Sequence, residues 1–172
     1  MPSSSGLAVG EKAPTFTAPL VSPDGTVDDV ALTTLLDDRP VLLSFYTNDF
    51  TPDCIDEWCD FRDFGWFSAN DTVQVVGISK SRVATHKRFI DYLDLTFPLY
   101  SDGDLSIAEA FGVKYRVFKL LSRSRRSCFL IDTDRTIRYK WIGKHRLDPT
   151  MDTPPVPEIH EAIQQEFSRV DG

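Results

Sequence analysis

The sequence predicts an α/β domain built on a central mixed β-sheet, and three observations carry that expectation. Apolar, β-branched runs at 41–46, 73–79 and 127–131 read as buried strands. Segments with helical spacing alternate with them, and turn chemistry at 132–135 joins the last strands as an antiparallel pair. With 172 residues and 41% hydrophobic content, the chain can bury one substantial core, so a single domain is expected over 9–172 after a loose tail at 1–8.

Taken in order, Ser22-Pro23-Asp24-Gly25-Thr26 is a turn signal between two short extended pieces and predicts an N-terminal β-hairpin extension. The strand at 41–46 leads into helical spacing over 54–67, then the strand at 73–79 closes a β-α-β unit. A helix over 85–93 places Phe89, Tyr92 and Leu93 on one face, and 97–100 reads as a short strand whose Pro98 suits a sheet edge. Ser106 to Glu109 fits a capping box, with Gly112 as the helix stop. Strands at 127–131 and 136–142 follow. Four prolines between 148 and 157 exclude regular structure there, and Pro157 suits the first turn of a closing helix with Ile159, Ile163 and Phe167 on one stripe.

Acidic residues outnumber basic ones by 26 to 19, for a net charge of −7, which argues against nucleic acid as a partner. The acids are mostly Asp and the cations mostly Arg, a balance that salt-adapted proteins tend to show. No run approaches the ~20 apolar residues of a membrane span, and the N-terminus lacks a basic-then-apolar signal pattern, so a cytoplasmic protein without membrane attachment is expected.

Three cysteines, Cys54, Cys59 and Cys128, make an odd count that disfavours a structural disulfide framework and favours redox or nucleophilic chemistry. His86, His145 and His160 are scattered and not spaced as metal ligands. Cys54 follows a strand at the start of a helix, where unbonded amide N–H groups and the helix dipole favour a thiolate. Thr51 reads as an N-cap and Pro52 as the first helical residue, putting Cys54 at about the third position. The dipole contributes ~0.3 to 1 kcal/mol, less than one pKa unit. Asp53, Asp56 and Glu57 oppose it if they point inward, so a cation is required.

The chain resembles the peroxiredoxins, thioredoxin-fold peroxidases, and among them the Q-type or bacterioferritin-comigratory-protein group. The resemblance rests on the opening Val9-Gly10-Glu11-Lys12-Ala13-Pro14-Thr15-Phe16, the central Asp49-Phe50-Thr51-Pro52-Asp53-Cys54 with Glu57, the strand Arg126-Ser127-Cys128-Phe129-Leu130-Ile131-Asp132, and Ile137-Arg138-Tyr139. It implies a thioredoxin-like fold with a central mixed sheet flanked by helices. By resemblance, Cys54 is the peroxidatic cysteine, Thr51 a hydroxyl donor to the reacting oxygens and Arg126 the required cation. Glu57 would organise Arg126 through an ion pair, and Cys59 would resolve the oxidised Cys54.

Plainer roles stand beside these. Thr51 can be a mere helix cap, Glu57 a solvated first-turn acid, and Arg126 one of a basic run with Lys114, Arg116, Lys119, Arg123 and Arg125. Cys59 can be a buried filler, and Cys128 either a small core residue or an alternative resolving thiol. Trp58, Trp66 and Phe64 fit core packing or a dimer face. One departure from the group is Thr47, where a pocket proline is usual.

The implied activity is reduction of hydrogen peroxide and organic hydroperoxides, recycled by a thioredoxin- or glutaredoxin-like dithiol, in a monomer or weak homodimer, without metal, haem or flavin. A thiol-disulfide oxidoreductase would carry Cys-x-x-Cys rather than the four-residue gap found here. A non-catalytic redox sensor switched by Cys54 is the remaining alternative.

Overall fold

The structure, a computed structural model, describes residues 7–46, 52–63, 72–117, 121–143 and 155–170. Strands β1 (Thr17–Val21) and β2 (Val27–Ala31) form the expected hairpin, with Gly25 at φ +91° in its turn and the Asp24 carboxylate accepting from Thr26 N–H at 3.0 Å. It is not an appendage: β1 pairs antiparallel with β5 (Leu99–Ser101) and so extends the main sheet.

Around that hairpin the chain runs α1 (Leu32–Leu36), β3 (Val41–Phe45), α2 (Pro52–Asp63), β4 (Gln74–Ser79) and α3 (Val83–Leu93). After β5 come α4 (Ser106–Ala110), a separate hairpin of β6 (Lys114–Val117) and β7 (Leu121–Ser124), then β8 (Ser127–Ile131), β9 (Ile137–Ile142) and α5 (Val156–Val170). The seven-stranded sheet has the order β2-β1-β5-β4-β3-β8-β9. Its centre, β5-β4-β3, is parallel, and β8 and β9 close one side antiparallel, so the sheet is mixed as expected.

Strand alternation sends each central strand's side chains to two cores. Leu42, Val75, Cys128 and Leu130 meet Trp58 and Phe61 of α2, Phe89 and Leu93 of α3, and Ile159 and Ile163 of α5. Val41, Leu43, Phe45, Phe129 and Ile131 meet Leu32, Leu36, Ala108 and Phe111 on the opposite face.

Three expectations need correction. Tyr92 is 68% exposed; the buried stripe of α3 is His86, Phe89, Ile90 and Leu93, a full i, i+3, i+4, i+7 set that a buried histidine had disguised. Pro98 precedes an interior strand rather than lying on an edge, and its carbonyl accepts from Gly77 N–H at 3.1 Å, the one role proline keeps in a ladder. Ser106 is the first helical residue of α4 and not its cap. Asp102 and Asp104 do that work instead: Asp102 accepts from the N–H groups of Ile107 and Ala108 at 3.1 and 3.0 Å, and Asp104 from that of Ser106 at 3.0 Å. Gly112, at φ +76°, ends α4 as the sequence predicts.

Candidate active site

Because β3, β4 and β5 run parallel, Tyr46, Ser79 and Ser101 all lie at one edge of the sheet. Since β8 is antiparallel to β3, its first residue, Ser127, lies opposite Phe45 at that same edge. The end of β3 and the residue entering β8, Arg126, are therefore brought together from positions more than seventy apart in sequence. The alternation of β8, carried two residues back from Cys128, places Arg126 on the side of the sheet that α2 covers.

Arg126 is 1% exposed, among the largest buried side chains of the chain. A guanidinium cannot be neutralised at such a site, so its burial requires polar or anionic company. Gly143 N–H donates to the Arg126 carbonyl at 2.8 Å, tying that backbone to the end of β9.

Helix α2 begins at Pro52, which lacks an N–H that the helix could not have used and has the φ a first turn needs. Cys54 is its third residue, so its backbone N–H is one of the four without an intrahelical acceptor. Thr47 and Thr51, and the side chains of Cys54 and Glu57, lie outside the described residues. So do Phe64, Trp66 and the side chain of Phe167.

By helical period, Trp58 and Phe61 follow Cys54 at about 40° and −20° on one stripe, and both are fully buried against the sheet. Cys59 is about 140° around from Cys54, with ideal α-carbons ~8.6 Å apart. It is a free thiol, half-buried at the margin of the same core. A disulfide needs α-carbons within ~7 Å, so the two cannot bond while α2 keeps ideal helical form.

The indole of Trp58 packs on Tyr46, Phe61 and Phe97 at ring separations of 5.6, 5.4 and 5.9 Å. It also lies directly over Gly77 of β4, where an added Cβ would come within 2.5 Å of the ring. Among the described residues its Nε1–H has no hydrogen-bond partner. Burying such a group unsatisfied costs ~1 to 3 kcal/mol, which the ring's packing has to exceed.

Tyr46, at the point where the chain leaves β3, is stacked on Phe89, and its hydroxyl lies 3.4 Å from His86 Nδ1. The other ring nitrogen, Nε2, lies 3.0 Å from the Tyr100 carbonyl, which can only accept. Nε2 therefore carries the proton and Nδ1 accepts from Tyr46. Sequence reasoning missed both this pair and the Gly77 seat. The lone glycine inside a β-branched strand was the available signal for a close approach.

Cys128 is fully buried, pairs with Ser44 across β3 and β8, and has its Sγ 3.3 Å from the Ser44 hydroxyl. Held between two neighbouring strands, it packs as a core residue.

Residues 9–140 match the sequence profile described as the AhpC/TSA family. The chain belongs to that family. It is 37% identical over 139 residues to a putative peroxiredoxin bcp of Coxiella burnetii, covering 78% of this chain and 88% of that one. It is 38% identical over 115 residues to a putative peroxiredoxin of Mycobacterium tuberculosis, covering 67% and 75%. The crystal structure of peroxidoxin BcpB from Mycobacterium tuberculosis superposes with a TM-score of 0.75 at 30% identity, over 91% of this chain and 96% of that one. A Xylella fastidiosa PrxQ mutant, at 23% identity and TM-score 0.73, shares the fold over 95% and 98% of the two chains.

Within the AhpC/TSA family the chain is thus a peroxiredoxin of the Bcp and Q kind with the thioredoxin fold. It is an oxidoreductase, a thiol-dependent peroxidase, whose substrates are a peroxide and a thiol reductant. Among the described residues no helix is long and apolar enough to cross a membrane.

Proposed function

We propose that Cys54 is the peroxidatic cysteine, that Cys59 resolves it as an intramolecular disulfide, and that Thr51, Arg126 and Glu57 complete the site. The observation that carries this is convergence: Cys54 is third in α2, whose Trp58 packs on Tyr46 at the sheet edge where Arg126, almost wholly buried, enters β8 on the side α2 covers. A free cysteine, with pKa near ~8.5, is mostly protonated at neutral pH, and the helix start alone lowers that by less than one unit. The guanidinium supplies the rest. Its rigid fork of donors can hold the thiolate and also the negative charge that develops on the departing oxygen.

The thiolate sulfur attacks one peroxide oxygen, the O–O bond breaks, and the other oxygen leaves with a proton as water or alcohol. Cys54 is then a sulfenic acid. In this reading Thr51, beside Pro52, donates its hydroxyl to the reacting oxygens, and Glu57 orients Arg126. The Cys59 sulfur next attacks the sulfenic sulfur, water departs, and a disulfide remains. An external dithiol of thioredoxin or glutaredoxin type reduces it by exchange. Thr47, where the group usually has a proline, alters the shape of the pocket rather than its chemistry.

A cytoplasmic monomer or weak homodimer, binding neither nucleic acid nor membrane, is the setting this cycle fits, given the acidic charge and odd cysteine count. The test is peroxide consumption with thioredoxin and its reductase. Wild type should turn over many times and Cys54→Ser not at all. Cys59→Ser should stop after one oxidation per chain, with sulfenic acid at Cys54 by mass spectrometry. Undiminished turnover in Cys54→Ser would contradict the assignment, and an intramolecular disulfide in Cys59→Ser would move the resolving role to Cys128.

A further inference from the structure

We propose that Trp58 is a positioning residue: seated over Gly77, it holds the Cys59 half of α2 on the sheet while the Cys54 end unwinds. During resolution the oxidised sulfur thus travels to a stationary partner. The inference rests on the reading that Cys54 and Cys59 form the catalytic disulfide, and it assigns which of the two moves.

Helix α2 is fastened unevenly. Trp58 and Phe61 are fully buried, and Arg62 Nη1 donates to the carbonyl of Leu93 at 2.6 Å, binding the last turn of α2 to the end of α3. Toward the start, the described side chains are weaker holds: Ile55 is half-buried and Asp56 exposed. Cys59 directly follows Trp58, so its backbone stays in place for as long as the indole does. Four peptide units separate Cys54 from Trp58, and unwound they span up to ~14 Å, ample for a disulfide whose α-carbons lie ~5.5 Å apart.

The step itself is the condensation of Cys54–SOH with Cys59–SH, forming one S–S bond and releasing water. A fixed Cys59 keeps a high effective concentration for the incoming sulfenic acid. Loosening it leaves Cys54 open to a second peroxide, which carries it to the sulfinic acid.

The decisive measurement uses the full chain with Trp66→Phe and Trp141→Phe, so that Trp58 alone reports. Acrylamide quenching is compared before and after one equivalent of peroxide, with the Cys54–Cys59 linkage established on the same sample by mass spectrometry. The proposal expects Trp58 to stay shielded in the disulfide form. Linkage with an indole as accessible as in urea overturns the proposal alone. No linkage overturns the resolving assignment and this inference with it.

A second arm uses Trp58→Leu at rising peroxide and reads the ratio of disulfide to sulfinic acid at Cys54. A fall of roughly tenfold supports a stationary target. A rise would make Trp58 a lock whose release limits the step, and would overturn the proposal.

Discussion

Strand β8 and helix α2 border the proposed site residues, and they are built on opposite terms. All five residues of β8 are buried, and the strand is hydrogen-bonded on both sides, to β3 and to β9. Half of the twelve residues of α2 are charged, and Trp58 and Phe61 are its fully buried holds among the described side chains. In the proposed cycle the cation that must not move is at the mouth of the rigid element, and the two thiols that must meet are on the deformable one.

The charges of α2 fit that division. Burial, then Asp56 and Asp63, raise the carboxyl pKa of Asp60. Like charges so placed weaken a helix. A helix proposed to open in each cycle can tolerate that weakness; a strand proposed to fix a guanidinium cannot.

The largest expected effect falls on the strand side. Arg126→Lys keeps the charge but loses the fork, and kcat/KM for peroxide should fall about a hundredfold. Cys54 should also alkylate more slowly at pH 6 to 7, because its thiolate is less well held. Wild-type alkylation rates, with the melting temperature preserved, would break the link between β8 and the thiol.

On the helix side, Gly77→Ala places a methyl group within 2.5 Å of the Trp58 ring and 2.6 Å of Leu99. Denaturant titration should show a loss of ~1 to 3 kcal/mol, the usual cost of overpacking. An unchanged midpoint would mean that α2 is not seated as described.

The smallest effect concerns the other buried charge near this edge. Asp102 has its pKa raised, chiefly by burial, against the two N–H groups it accepts from. The folded chain therefore holds that proton more tightly than the unfolded chain. The stability so gained is complete below the ordinary 3.8 and is lost as pH rises through the raised value. As pH rises from the ordinary 3.8 through the raised value, wild type should lose stability relative to Asp102→Asn, and parallel curves would remove Asp102 from the set of strained charges.

Legibility in the sequence followed the same division. The runs of β3, β4 and β8 were readable because buried central strands are continuously apolar and β-branched. The hairpin β6–β7 was not, since its cations, Lys114, Arg116 and Arg123, look like a solvated basic run. At α4 the local capping box lost to Asp102, a carboxylate four residues upstream whose position depends on the fold. Cys54 stood out by its place after a strand at a helix start, while the role proposed for Cys59 came with the family resemblance. Arg126 could be chosen from six cations only through family resemblance, because strand pairing, not sequence distance, brings it to the end of β3.

Hydrogen exchange tests the contrast between the two elements most directly. Amide exchange is compared in the reduced protein and after oxidation by one equivalent of peroxide. The account predicts that protection is lost in α2, beginning at the Pro52 end, while Ser127–Ile131 exchanges equally slowly in both states. Unchanged protection across α2 in a chain that carries the disulfide, or loss in β8, would contradict it.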